Sequence, residues 1–228
     1  MWTGVGWFTV LALWLSTAVY AATATGLVGP DEPARADDLG AYMRDYLAYR
    51  DDLFVFEQVE NWSLTAALLA IAALSVGWLA TADEPNRARV RLTASALALG
   101  SVISAVSQVA YLGAEDRVLA VAHLPELDAA ALATMIDAIG RTDDYVENLG
   151  YLLISAGTAA MAFMEPASIR PDRWWWVSCY AMSVGLIVIV VTSFMTVAAN
   201  DLVLLAVGAV LAPVWVLMLA RRVARHTG

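Results

Sequence analysis

The residues best suited to chemistry are two carboxylates in matching settings. Val59-Glu60-Asn61 and Val146-Glu147-Asn148 repeat the tripeptide VEN, each time at the entrance to an apolar run, residues 62–82 and 149–164. A carboxylate beside a carboxamide at the edge of lipid can hold a cation, share a proton with a second acid, or act as a general base. A third run supplies polar company. Gly100, Ser101, Ser104, Ser107, Gln108 and Tyr111 recur at spacings of three and four, so they share one helical face. Such a stripe packs helices closely, because small residues let backbones approach and hydroxyls bond across the contact; its other use is a polar lining that rises toward Tyr111 and the acids. Tyr151, Ser155 and Thr158 form a matching stripe on the fourth run. The candidate polar pocket is therefore Glu147, Asn148, Glu60, Asn61, Gln108, Ser104 and Tyr111. Glu57 shares a face with Glu60, a spacing equally expected of a solvated acidic surface.

Much chemistry is excluded. All 13 basic residues are arginine, so no lysine Schiff base can form. The two histidines, His123 and His226, fall outside the apolar runs, which leaves no histidine pair for a membrane haem and no His/Cys cluster for zinc or copper. The single cysteine, Cys179, cannot form an internal disulfide. There is no nucleotide-binding loop and no Ser-His-Asp set, and no charge lies mid-run to relay protons. These absences predict no catalytic residue, no metal and no cofactor.

The elements that must position the pocket are read from hydropathy. Of 228 residues, 61% are hydrophobic and the mean hydropathy is +0.66. Residues 1–30, 62–82, 92–114, 174–200 and 202–220 are free of charge apart from the chain terminus, each near the roughly 20 residues needed to cross a bilayer core about 30 Å thick. No alternating polar face supports a membrane barrel. The sixth run, 149–164, is only 16 residues, or about 24 Å of helix, so crossing draws Asn148 and Glu147 to the hydrocarbon edge.

The predicted fold is an all-α integral membrane protein, a single domain over 1–228. Six spans lie near 5–27, 62–82, 92–114, 145–164, 174–198 and 202–220. Two amphipathic helical outer loops, 34–60 and 115–142, complete it. In the first loop Leu39, Tyr42, Met43, Tyr46, Leu53 and Phe56 recur at helical spacing, and no Gly or Pro occurs from Ala41 to Val76. In the second, Pro125, Glu126 and Asp128 suit a helix start, Leu132, Met135, Ile136 and Ile139 share a face, Gly140 can close the helix, and Thr142-Asp143-Asp144 can begin the next. A first span that is instead a cleaved signal peptide is the alternative for the N-terminus, but it lacks a basic leading region.

Charge sets the threading. Residues 83–91, 165–173 and the C-terminal tail hold 8 Arg and 4 acids, whereas 31–61, 115–148 and 200–201 hold 5 Arg and 18 acids. The positive-inside rule places the Arg-rich set, and both termini, in the cytoplasm of a multi-pass plasma-membrane protein. Aromatic residues agree: Trp2, Trp7, Trp78, Trp174, Trp175, Trp176 and Trp215 fall toward the inner ends, with Trp174, Trp175 and Trp176 read as interface anchors, and Tyr20, Tyr111, Tyr145 and Tyr151 fall toward the outer ends. The order VEN, apolar run, Glu-Pro, Arg-rich loop occurs twice (Glu84-Pro85 and Glu165-Pro166), which raises an internal two-span repeat. From these features the first expectation is a non-enzymatic accessory or scaffolding subunit, in contact with the bilayer and with a protein partner or a second copy, and not with nucleic acid. The alternative is a transporter or small-ligand or cation-binding protein with an outward-facing polar pocket. A membrane enzyme using the outer carboxylates ranks third.

Overall fold

The computed structural model of the chain describes residues 1–29, 39–80, 87–121, 128–164, 173–194 and 197–227. The described residues are helical with no strand. The helices are α1 (Trp2–Ala24), α2 (Leu39–Leu79), α3 (Arg87–Val121), α4 (Ala129–Ala162), α5 (Arg173–Thr192), α6 (Val197–Ala206) and α7 (Ala212–Thr227), with a π-helical turn, Val207–Leu211, joining the last two. Both Glu-Pro dipeptides, His123, Pro125, residues 83–86 of the first Arg-bearing loop and residues 165–172 of the second lie outside the described residues.

Five helical segments are long and apolar enough to cross a membrane: Trp2–Ala24, Ala41–Leu79, Arg87–Val118, Arg173–Thr192 and Ala199–Arg225. The fourth predicted span is not among them. Its helix ends at Ala162 and carries Glu147, Asn148 and Tyr151 within its apolar half, which dilutes the hydropathy of the whole crossing.

The predicted outer loops are helical where they are described, but they are not separate elements. With no Gly or Pro between Ala41 and Val76 to stop it, α2 runs unbroken for 41 residues, about 60 Å, through VEN and into the apolar run. Likewise α4 begins at Asp128, whose carboxylate accepts the Ala131 N–H at 2.6 Å, and passes straight through Gly140 and Thr142. The Thr142 hydroxyl donates back to the Ala138 carbonyl at 2.7 Å, so it serves the helix interior and starts no new one. The acidic ends of α2, α3 and α4 pack together around Met43, Val118 and Leu132, apart from the main core.

The bundle is organised as lipid demands. Its outer faces carry Phe8, Leu11, Leu69, Val106, Val184 and Val214, whereas Thr9, Ser75, Ser101, Ser104 and Thr158 are almost fully buried. Water would reverse that order; in a bilayer, close packing of small polar residues holds helices together. The most extensive contact joins α3 to α4, followed by α2 with α3 and α1 with α2, and α7 returns against α1. The tryptophan triplet divides. Trp174 is 63% exposed and Trp176 36%. Trp175 is 1% exposed and sits in the core with the Arg222 guanidinium 4.4 Å from its ring centroid, so its reading as an interface anchor is corrected: its helical phase, one residue on, points it inward.

The last crossing shows how a proline is accommodated. Pro213 has no N–H to give the Ala209 carbonyl four residues earlier. The chain widens into the π turn, with the Ala212 N–H bonding to the Val207 carbonyl, and the Trp14 indole N–H of α1 donates to the Ala209 carbonyl at 2.9 Å. Trp14→Phe is therefore expected to lower stability by about 1 kcal/mol in a thermal unfolding assay, whereas Trp7→Phe does not. In a Pro213→Ala background, which restores a backbone donor, the cost of Trp14→Phe shrinks; an unchanged cost there would show that the indole contributes by packing alone.

Candidate functional site

Helices α1 to α4 meet α6 and the π turn around an open cavity of about 800 Å³. Its depth comes from two features of the sequence. Gly208 in the π turn approaches Thr17 of α1 so closely that an added Cβ would lie 2.5 Å from the threonine hydroxyl. Beside that contact the polar stripes of α2, α3 and α4 line one space. Glu57, Glu60 and Asn61 come from α2, Gln108 and Tyr111 from α3, Asp143, Glu147 and Tyr151 from α4, Tyr20 from α1 and Asp201 from α6.

Glu147 is held from two helices. Its Oε1 accepts the Gln108 amide N–H at 2.7 Å and the Tyr151 hydroxyl at 2.5 Å. Its other oxygen has no hydrogen bond among the described residues. Glu60 lines the same cavity, with neither a hydrogen bond nor an ion pair among them. Ten residues before Glu60 on α2, Arg50 is the hub of an ionic cluster. It donates from Nη1 to Glu57 at 2.7 Å, from Nη2 to the Tyr111 hydroxyl at 2.9 Å, and from both Nε and Nη2 to Glu115, the Nε distance being 2.6 Å. Across the cavity the Tyr20 hydroxyl donates to Asp201.

Five of the seven predicted pocket residues converge here: Glu147, Glu60, Asn61, Gln108 and Tyr111. Two do not. Ser104 is completely buried, its hydroxyl without a partner, against Gly150 of α4. One helical turn separates it from Gln108, and at that level α3 and α4 already touch. Asn148 points away from the cavity and donates to the Ser193 hydroxyl at 2.9 Å, beyond the end of α5, because it follows Glu147 by 100° around the helix. Its counterpart Asn61 stays at the cavity wall and donates to the Glu57 carbonyl of its own helix at 2.9 Å.

Arg50, Asp143, Tyr20 and Asp201 were not among the predicted pocket residues. Arg50 precedes Glu57 by seven residues on one helical face, a spacing the sequence displays. Asp201 is the lone charge between two apolar runs. Nothing local pairs Asp201 with Tyr20, which lies 181 residues away.

Asp143 sits at the cavity rim, beyond the apolar half of α4. Burial raises its carboxyl above the ordinary range; the Ser107 hydroxyl, donating to Oδ1 at 2.5 Å, opposes this, and the neighbouring Asp144 adds to it. The folded protein thus holds this proton more tightly than the unfolded chain does. Stability from this group is greatest below the unfolded value, about 3.9, and falls as pH rises through the raised one. Asp143→Asn keeps an acceptor for Ser107 and removes the fall. Its melting temperature is expected to match the wild type in acid and to exceed it increasingly as pH rises; a constant offset from pH 4 to 7 would refute the assignment.

Among the described residues no group of three His, Cys, Asp or Glu could hold a metal ion, so the acids are spread around the cavity. No family model matches the chain, and neither a curated protein nor a solved structure shows significant similarity to it.

Proposed function

We propose that the chain is a six-span plasma-membrane protein, termini in the cytoplasm, whose cavity opens to the outer face and binds a small cationic ligand, for uptake or sensing. One observation carries the reading: a cavity of about 800 Å³ walled by Glu57, Glu60, Asp143, Glu147 and Asp201 against the one guanidinium of Arg50. Ligand sites commonly span about 300–1,000 Å³. Clefts lined by one sign of charge concentrate ions of the other. The cavity favours a binding protein over the accessory subunit expected first, for which no surface among the described residues specifies a partner. α4 counts as a span in this reading because its acid is satisfied by Gln108 and Tyr151 within the bundle and not by lipid. Both VEN glutamates reach one cavity, which supports descent from a duplicated two-helix unit.

The test uses single cysteines in a Cys179→Ser background in intact cells. Ala130→Cys is expected to react with an impermeant thiol reagent and Ala88→Cys not to react. Thr17→Cys, in the cavity wall, is expected to react faster with a cationic methanethiosulfonate than with an anionic one of similar size. Labelling at 88 but not 130 reverses the threading, and equal rates at Thr17→Cys remove the acidic cavity.

A further inference from the structure

Resting on that reading, we infer that the cavity takes an extended polyamine, a chain of ammonium groups separated by methylenes, and not a metal ion or a compact monovalent cation. The first ground is the pattern of donors and acceptors in the wall. Several donors in the wall are directed within it: Arg50 to Glu57, Glu115 and Tyr111, Tyr20 to Asp201, Tyr151 and Gln108 to Glu147, and Asn61 to a backbone carbonyl. Facing the space, beside the hydroxyls of Ser16 and Thr17, are acceptors. Gln108 is only 6% exposed, and its amide oxygen has no hydrogen-bond donor among the described residues. Glu60 and the second oxygen of Glu147 have none either. Unpaired acceptors that face a cavity are satisfied by a ligand rich in N–H groups.

The second ground is spacing. Four carboxyl groups lack a cationic partner among the described residues, and they lie on three walls: Glu60 on α2, Asp143 and Glu147 on α4, Asp201 on α6. No three of them converge as a metal requires. A single positive charge offsets one of these acids and leaves the others unpaired, whereas a polyamine presents a separate ammonium to each. The same wall carries Leu53, Leu64, Ile189, Leu204 and Val207, and these side chains suit the methylenes between the charges.

The experiment uses the full chain in detergent with the Thr17→Cys probe, and compares spermidine, putrescine, propylamine and calcium at equal ionic strength. Spermidine is expected to slow cationic-reagent modification at least tenfold at submillimolar concentration and to raise the melting temperature, with putrescine weaker and propylamine and calcium near baseline. Glu60→Gln, a size-matched change at a residue with no bond to lose in the wall, is expected to weaken spermidine binding at least tenfold without lowering the melting temperature of the free protein. Should Glu60→Gln misfold, the protection series on the parent stands alone. Equal protection by calcium, or by propylamine, reduces the effect to general screening and overturns the polyamine assignment. Modification untouched by spermidine overturns it as well. A probe that never reacts, with or without amine, instead overturns the cavity reading on which it rests.

Discussion

Gly100→Ala is expected to destabilise the protein by about 3 kcal/mol, although alanine is the better helix former by about 1 kcal/mol. The reason lies at the tightest crossing in the bundle. A Cβ on Gly100 would stand 2.6 Å from the Gly150 carbonyl oxygen and 2.9 Å from the Ile154 nitrogen, both backbone atoms of α4. Neither can swing aside, so the methyl group fits only if two long helices separate. Gly113, on the same helix, has nothing within 4 Å of its own Cβ position. Gly113→Ala is therefore expected to be neutral or to stabilise by up to about 1 kcal/mol, through helix propensity alone. Opposite signs for one substitution on one helix separate packing from propensity. Ser104 extends the test: its buried hydroxyl has no partner, so Ser104→Ala should be harmless, while Ser104→Leu forces the same surfaces apart. Thermal unfolding in mild detergent decides, and equal tolerance of Gly100→Ala and Gly113→Ala would mean that α3 and α4 do not meet as described.

That crossing was partly legible. The spacing of Gly100, Ser101 and Ser104 marks a close-packed face, and five of the six predicted runs correspond to helical segments apolar enough to cross a membrane. Periodicity specifies a face, but not which helix it meets, so Ser104 read as lining when it is contact. The helix boundaries were misplaced for a related reason. Gly140 and Thr142-Asp143-Asp144 carry local stop and start signals worth about 1 kcal/mol each. Hydrophobic packing of Leu132 and Ile136 on one side, and of Ile154 on the other, binds both halves of α4 to the same neighbours and overrides them. The convergence of Glu60 and Glu147 followed from repeated context, whereas Tyr20 with Asp201 joins the first helix to the sixth, and no window of sequence encodes such a pair.

Arg50→Met is expected to be the most damaging single change at the cavity, costing about 3–5 kcal/mol. The guanidinium is 15% exposed, between Glu57 at 13% and Glu115 at 12%, and each of those carboxylates has a second oxygen buried without a hydrogen bond. Removing the cation leaves two acids facing each other with no charge to offset them, which costs far more than the pairing itself contributes. Two rescues follow from that asymmetry. Neutralising one acid, in Arg50→Met with Glu115→Gln, should recover at least half of the loss, although it deletes a further charged group. Arg50→Lys should recover less than its retained charge suggests, because an ammonium cannot reproduce the fork that directs Nε and Nη2 to Glu115 while Nη1 reaches Glu57. If Glu115→Gln deepened the defect of Arg50→Met, the destabilisation would come from lost packing of the arginine stem. The ionic cluster would then be a passive lining of the cavity and not a tie between α2 and α3.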